Sequence, residues 1–221
     1  MTTKRIGAVT IGQSPRVDVT PDVLPILGPD VELIQAGALD FVDDVAQVAP
    51  QGDEDVLVSR LRDGGSVRIA EPRILPYVQR AIDEVAAQGA SSIMVWCTGE
   101  FPDSIRSSVP LVYPNRLISG VVGALGLHHV GVMLPDGAQV EQMRDRWERI
   151  AGRATILAAS PYGPQSARDE AARTLADADV ELIVLDCIGF TEAMRSRVRE
   201  LSGKPVMLPR ALLARTMLEI L

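Results

Sequence analysis

Short apolar runs alternate along the chain with segments whose apolar residues recur every three or four positions. A run of four to eight apolar residues predicts a buried strand, whereas the wider spacing predicts an amphipathic helix. Predicted strands are Ile6–Ile11, Val31–Ala36, Ile93–Cys97, Leu111–Tyr113, Val130–Leu134, Thr155–Ala159, Leu182–Asp186 and Val206–Leu208. Predicted helices are Val19–Leu27, Arg73–Gln88, Arg116–Leu125, Ala138–Ile150, Gln165–Ala176, Thr191–Leu201 and Arg210–Ile220. The alternation indicates an α/β fold with two parallel sheets of about four strands each, flanked by helices.

One segment departs from this alternation. Residues 55–62 and 66–70 have the apolar content of two short strands, and Asp63-Gly64-Gly65 between them is typical of a tight turn. We therefore expect a β-hairpin here, placed at the edge of a sheet.

Two predicted strands, one in each half of the chain, end in a cysteine that is followed two residues later by a glycine. They lead into Cys97-Thr98-Gly99 and Cys187-Ile188-Gly189. Ligands of parallel α/β sheets bind beyond the carboxyl ends of the strands. Backbone N–H groups in such strand-to-helix turns favour carboxylates and thiolates. Each cysteine alone is equally well read as a small buried apolar residue.

The pair of cysteines favours a chemical role. A carbon held between two thiols loses a proton to one and gains a proton from the other, which is a two-base proton transfer. Thiols suit this reaction because their ordinary pKa of about 8.5 lies close to working pH. We therefore predict that Cys97 and Cys187 are catalytic acid and base at one shared cleft, and that they form no disulfide.

Four further residues are candidates for the same site. Ser14 and Arg16 follow the first strand and are expected to hold a substrate carboxylate, the alternative being an ordinary loop with a solvated arginine. Asn115 begins a helix at the same end of the sheet, where ligand contact and helix capping are both open. Glu100 follows Cys97 closely and is a possible acid or base neighbour of the thiol.

Composition and net charge limit the kinds of partner that the protein is expected to bind. The 221 residues are 47 % hydrophobic and 23 % charged, which is typical of a folded globular protein. The net charge of −7 opposes binding to phosphate backbones, so nucleic acid is not an expected partner. No apolar run reaches 18 residues and the start does not resemble a signal peptide, so we expect a cytoplasmic protein without a membrane partner. With two cysteines and two histidines, no structural zinc site is expected, whereas carboxylate-bound magnesium stays open.

Three segments carry a resemblance to a known family. They are Gly7-Ala8-Val9-Thr10-Ile11-Gly12-Gln13-Ser14-Pro15-Arg16-Val17-Asp18, Trp96-Cys97-Thr98-Gly99-Glu100-Phe101 and Asp186-Cys187-Ile188-Gly189-Phe190-Thr191. Together they resemble the AroM family, within the aspartate/glutamate/hydantoin racemase superfamily. The spacing of the two cysteines over the whole chain fits that superfamily's plan.

The resemblance implies two pseudo-symmetric α/β lobes, the first formed by residues 1–115 plus 206–221 and the second by 116–205. It implies a cofactor-independent racemase or isomerase that acts on a small carboxylic acid, and dimers are common among its relatives. Cys97 and Cys187 match the two catalytic thiols, and Thr98, Gly99 and Gly189 join Ser14, Arg16 and Asn115 as expected substrate-binding positions. Relatives commonly place polar residues directly after the second cysteine, whereas Ile188 and Gly189 follow here. The alternatives are a decarboxylase or lyase that uses one thiol, and a binding or regulatory protein on the same fold.

Overall fold

The computed structural model describes residues 4–221. Its elements follow the predicted alternation of strands and helices. Up to residue 125 they are β1 (Lys4–Thr10), α1 (Thr20–Leu27), β2 (Val31–Gly37), β3 (Val56–Arg60), β4 (Ser66–Ala70), α2 (Glu71–Ala87), β5 (Ser92–Trp96), β6 (Leu111–Val112) and α3 (Pro114–Leu125). Two short 3₁₀ turns, Ala38–Phe41 and Val45–Val48, lie between β2 and β3 and were not predicted.

The second half repeats the pattern. Its elements are β7 (His129–Leu134), α4 (Gln139–Gln142), α5 (Arg144–Ala151), β8 (Arg153–Ala158), α6 (Gln165–Asp177), β9 (Leu182–Leu185), α7 (Glu192–Ser202), β10 (Val206–Met207) and α8 (Pro209–Glu219). The single helix predicted over 138–150 is interrupted at Met143, where α4 ends and α5 begins.

Both large sheets are parallel and have four strands, as predicted. The first has the order β2-β1-β5-β6 and the second has the order β8-β7-β9-β10. When the strands of each sheet are numbered along the chain, both orders read second, first, third, fourth. The same topology is therefore used twice.

The chain divides into two compact units. The first runs to Asn115 and resumes over Arg210–Leu221, and the second is Arg116–Pro209. Residues 206–209, which the sequence assigned to the first lobe, belong with the second because β10 pairs with β9. The return to the first unit starts at Arg210, which is fully buried and donates hydrogen bonds from Nη1 to the Asp18 carbonyl (2.8 Å) and to Asp22 Oδ2 (3.0 Å).

Helix α2 illustrates how apolar spacing builds the first unit. Ile74, Val78 and Ile82 recur every four residues, lie on one face of the helix and are fully buried. Val85 continues the face and packs so closely on β1 that a Cβ on Gly7 would lie 2.8 Å from its Cγ2. Within residues 4–221, no helix has the length and apolar character that crossing a membrane requires.

Candidate active site

Cys97 lies immediately beyond β5 in the first unit. Its residue is 7 % exposed, and its sulfur accepts a hydrogen bond from the Gly99 N–H at 3.4 Å. Strand β5 pairs with β1, and the strand order reverses between these two strands. Such a switch point is where open α/β sheets bind ligands. Cys97 therefore lies at the edge of the sheet where ligands of open α/β sheets bind.

Cys187 has the same surroundings in the second unit. It follows β9, is 5 % exposed, and its sulfur accepts from the Gly189 N–H at 3.4 Å. Strand β9 pairs with β7, again at the point where strand order reverses. Neither of these two cysteines forms a disulfide. A backbone N–H aimed at sulfur stabilises a thiolate, so both positions suit acid–base chemistry.

Arg16 lies in the loop after β1 but is 2 % exposed. Its Nε and Nη2 donate to the two carboxylate oxygens of Asp18, each at 2.8 Å, and Nη1 donates to Thr10 Oγ1 at 2.9 Å. Burial opposes the ionisation of Asp18, but the hydrogen bonds and charge of Arg16 hold its pKa below the ordinary value. The guanidinium of Arg16, which was expected to bind a substrate carboxylate, thus binds the carboxylate of Asp18.

Ser14 is also engaged within the loop. Its hydroxyl donates to Asp40 Oδ2 at 2.6 Å, and the same carboxylate accepts from the Ser14 N–H and the Gly37 N–H. Arg62 pairs with the other oxygen of Asp40 and donates from Nε to the Ser14 carbonyl at 2.6 Å. The loop that carries Ser14 is therefore held by the side chains of Asp40 and Arg62.

The hairpin of β3 and β4 forms a separate two-stranded sheet and covers the carboxyl ends of β1 and β5. A Cβ on Gly12, just after β1, would lie 2.1 Å from Ser59 Oγ, and a Cβ on Gly99 would lie 2.6 Å from Leu57 Cδ2. Because residues two apart on a strand share a face, Leu57 and Ser59 present one face of β3 to the switch point. The hairpin thus adds a cover to the candidate site, whereas the sequence placed it at a sheet edge.

The remaining first-unit candidates are Thr98, Glu100 and Asn115. Thr98 is 8 % exposed, directly after the cysteine, and Glu100 is exposed. Asn115 is 7 % exposed and is the second residue of α3, so it lies inside the helix rather than before it. Burial raises the pKa of Glu71, at the start of α2, to about 7, and the charges of Asp55 and Glu100 add to the shift.

Each unit contains a cavity, and the one in the first unit lies beside the loop that follows β1. The first, about 460 Å³, is lined by Gln13, Pro15, Arg16, Val17, Asp18 and the hairpin residues 60–64. The second, about 300 Å³, lies between α6 and α7 and is lined by Gln165, Arg168, Asp169, Thr191, Ala193, Met194, Arg197 and Val198. Neither cavity is lined by a cysteine. Across residues 4–221, no group of three or more His, Cys, Asp or Glu side chains is arranged to hold a metal ion.

A buried polar cluster supports the residue before Cys187. Asp186 accepts a hydrogen bond from Trp147 Nε1 at 3.0 Å and pairs with Arg146 at 3.6 Å, and both charged side chains are at most 5 % exposed. The Arg146 guanidinium also lies 5.3 Å from the centre of the Trp147 ring. The backbone closes a tight turn here, with the Cys187 N–H donating to the Leu185 carbonyl at 2.7 Å. The cluster therefore anchors the turn that carries the thiol.

Gly189 is in close contact with Tyr162, from the loop after β8. A Cβ on Gly189 would lie 2.3 Å from the phenol oxygen of Tyr162 and 2.9 Å from Pro161 Cγ.

Sequence reasoning missed Tyr162, Ser59, Asp40 and Glu71, because each reaches the site from an element distant in the sequence. Asp18 lies within the quoted opening motif, two residues after Arg16, and that spacing was the one available signal.

Solved structures with the same fold are racemases, isomerases and a decarboxylase. Allantoin racemase from Klebsiella pneumoniae has a TM-score of 0.67 at 11 % identity, covering 98 % of this chain and 87 % of that one. Maleate cis-trans isomerase from Nocardia farcinica has a TM-score of 0.67 at 15 % identity, covering 98 % and 91 %. Unliganded arylmalonate decarboxylase has a TM-score of 0.64 at 14 % identity, covering 98 % and 92 %. These likenesses define the class: an α/β protein with the aspartate/glutamate/hydantoin racemase fold.

The sequence itself gives the family. The family description "AroM protein" matches residues 6–221, so the chain belongs to the AroM family, as its three motifs predicted. No curated protein sequence matches the chain.

Proposed function

We propose that this AroM protein is a cofactor-independent racemase or isomerase that acts on a small carboxylic acid, at the carbon next to a carboxylate or similar carbonyl. The observation that carries the proposal is the repeated environment of two sulfurs. Cys97 and Cys187 each follow the third strand of an identical four-stranded sheet, and each accepts a hydrogen bond from the N–H two residues on.

In the proposed reaction, one cysteine is a thiolate and the other is a thiol. The thiolate removes the proton from the substrate carbon, and the electron pair passes to the neighbouring carboxylate as an enediolate. The thiol on the opposite face then protonates the carbon, so the configuration inverts and each sulfur has exchanged its protonation state. The two thiols and the substrate are the only reacting groups in this step, and the proton gained by one sulfur balances the proton lost by the other.

The substrate carboxylate has candidate donors in both units. We assign this role to backbone amides around Gly99 and Gly189 and to the side chains of Thr98 and Asn115, with Ser14 shaping the loop beside them. Arg16 contributes by ordering that loop through Asp18, and it reaches a substrate only where the substrate displaces Asp18. Glu100, exposed beside the first thiol, is the candidate for proton exchange with solvent. A cytoplasmic location and a homodimer remain parts of the proposal.

A one-thiol decarboxylase is the second candidate. Thr98 follows the first cysteine, whereas the apolar Ile188 follows the second, so the two thiols have unequal neighbours. Arylmalonate decarboxylase is also among the similar structures. In this alternative the substrate loses carbon dioxide and a single thiol protonates the enediolate.

Deuterium uptake tests the proposal. The protein is incubated in deuterated water with amino acids, hydantoins, substituted malonates and cis-unsaturated diacids, while mass, optical rotation and carbon dioxide release are followed. A substrate should gain deuterium at the carbon next to its carboxylate and invert, because the protonating thiol exchanges with solvent. Carbon dioxide release would identify the decarboxylase instead.

Serine variants assign the thiols. Cys97→Ser and Cys187→Ser should each abolish inversion, because a hydroxyl is a far weaker acid than a thiol. One variant should retain single-face exchange, and we expect it to be Cys187→Ser, since Cys97 keeps its neighbours Thr98 and Glu100. Tight binding of one compound class without uptake, inversion or gas release would contradict both enzymatic proposals and identify a binding protein.

A further inference from the structure

The two candidate thiols share a backbone environment but differ in the side chains that follow them. Thr98 places a hydroxyl directly after Cys97, whereas Ile188 places an aliphatic side chain directly after Cys187. Phe190, one residue beyond Gly189, is fully buried and equally apolar. The three residues that directly follow the second thiol therefore provide no hydroxyl.

Tyr162 brings a hydroxyl to that position from the loop after β8. Its phenol oxygen occupies the space beside Gly189 so completely that a Cβ there would lie 2.3 Å from the oxygen and 2.6 Å from Cζ. The Gly189 N–H is the group that donates to Cys187 Sγ. The phenol of Tyr162 thus packs against Gly189, the residue whose N–H donates to the sulfur. A side chain larger than that of glycine would collide with the phenol there.

The loop that carries Tyr162 is held rigidly. Arg168 donates from Nη1 to the carbonyls of Ser160 (2.9 Å) and Gly163 (2.7 Å), one on each side of Tyr162. The Tyr162 N–H donates to Ser160 Oγ at 3.2 Å, and the Gly163 N–H donates to the Ser160 carbonyl at 3.2 Å. These four hydrogen bonds fix the turn that carries Tyr162, so little conformational entropy is lost there when a ligand binds.

We propose that Tyr162 is a positioning residue for Cys187: it seats the Cys187-Ile188-Gly189 turn so that the Gly189 N–H points at the sulfur, and its hydroxyl supplies the polar contact that Ile188 lacks. The role rests on the proposed function, in which Cys187 must pass between thiol and thiolate. Hydrogen-bond donors near sulfur favour the thiolate, so the phenol enlarges the fraction of Cys187 that is thiolate at neutral pH, and with it the rate of alkylation at that pH.

Two ion pairs of the second unit involve other charged side chains. Asp186 accepts a hydrogen bond from Trp147 Nε1 and pairs with Arg146, so its charge has an opposite charge beside it within the second unit. Asp169 and Arg197, on α6 and α7, also pair with each other at 3.1 Å. Arg168, which holds the loop of Tyr162, is kept in every variant that tests the proposal, so a change in the ionisation of Cys187 is assigned to Tyr162 or to the Gly189 N–H.

Alkylation of the single remaining thiol tests the proposal without a substrate. In a Cys97→Ala background, the rate of reaction with iodoacetamide between pH 6 and 10 reports the ionisation of Cys187. Tyr162→Phe should raise the midpoint by about half a pH unit or more, which lowers the rate at pH 7 by about threefold. Tyr77→Phe, which removes the same hydroxyl in the first unit, should leave the midpoint where it was.

A second variant covers the case in which Tyr162→Phe fails to fold. Gly189→Ala puts a methyl group where the phenol lies, so it should raise the midpoint in the same direction while Trp147 fluorescence reports an intact second unit. A midpoint unchanged in a folded Tyr162→Phe or Gly189→Ala protein would overturn the proposal. Because the readout is thiol ionisation, it can fail while deuterium exchange succeeds, or succeed while exchange fails, so the two proposals are judged separately.

Discussion

Glu71 shows how burial and like charges act on one carboxyl group. Its N–H donates to the Asp55 carbonyl at 2.9 Å, so the start of α2 lies beside the start of β3. Burial, followed by the negative charges of Asp55 and Glu100, raises its pKa from 4.5 to about 7. The folded state therefore binds this proton more tightly than the unfolded state. Its contribution to stability is complete below about pH 4.5 and is lost as the pH rises through about 7.

Glu71→Gln should accordingly stabilise the protein at high pH. A neutral amide avoids burying charge near Asp55 and Glu100, so the free energy of unfolding at pH 8 should rise by about 1 kcal/mol after allowance for solvent screening. At pH 5 the two proteins should be nearly equal. Urea unfolding at both pH values measures the difference, with Glu84→Gln on the exposed face of α2 as control. An equal gain at pH 5 and pH 8 would contradict the assigned protonation.

The ion pair between Arg16 and Asp18 gives Arg16 a structural role, because both of its hydrogen bonds to a carboxylate are made within the protein. Removing Arg16 leaves the Asp18 carboxylate, 17 % exposed, without its bidentate partner. Arg16→Ala should therefore lower the free energy of unfolding by about 2–3 kcal/mol. Arg62→Ala removes a side chain that is 55 % exposed and should cost about 1 kcal/mol or less. Urea unfolding at pH 7 compares them, and a smaller loss for Arg16 than for Arg62 would contradict the internal role.

At the element scale, the packing of the hairpin over β1 and β5 depends on Gly12, which meets Ser59, and on Gly99, which meets Leu57. A methyl group on Gly99 would meet Leu57 at 2.6 Å, so Gly99→Ala should lower the free energy of unfolding by about 1–3 kcal/mol. In a Leu57→Ala background the clash is removed, and the added cost of Gly99→Ala should fall to a fraction of that. Gly120→Ala, where a Cβ meets nothing within 4 Å in helix α3, should be neutral or stabilising. Additive losses in the double variant would contradict the covering role of β3.

The regular elements were predictable because their own residues determine them. Strands such as Ile93–Cys97 and helices such as α2 carry complete apolar patterns, and the observed bounds differ from the predicted ones by one or two residues. Cys97 and Cys187 were also found from local sequence, since a strand that ends in a cysteine and a glycine needs no distant contact to be recognised. The AroM motifs supplied the family.

The partners of those elements were not predictable from local sequence. The apolar pattern of 55–70 gives two strands, but their position over β1 and β5 depends on contacts of Leu57 and Ser59 with Gly99 and Gly12. Tyr162 carries no local signal for its contact with Gly189. The structure ends the second unit at Pro209, which the pattern of 206–208 does not indicate, because it predicts a strand but not that the strand pairs with β9.

At the scale of the whole molecule, the chain returns to its first unit through one buried arginine. Arg210 joins the start of α8 to Asp18 and Asp22, and its side chain is fully buried. Arg210→Ala leaves the 23 % exposed Asp22 and the Asp18 carbonyl without this donor, so the first unit should lose about 2–3 kcal/mol of stability. The second unit contains neither partner and should be affected less.

The two tryptophans allow each unit to be followed separately. Trp96 ends β5 in the first unit and Trp147 lies in α5 of the second, and both are buried. In a Trp147→Phe background, Arg210→Ala should lower the urea midpoint reported by Trp96. In a Trp96→Phe background, the same change should shift the midpoint of Trp147 less. Arg146→Ala, which breaks the ion pair with Asp186, should show the reverse order. Equal shifts of both probes with both arginine variants would mean that the chain unfolds as one cooperative body, and the return through Arg210 would then stabilise the whole rather than the first unit.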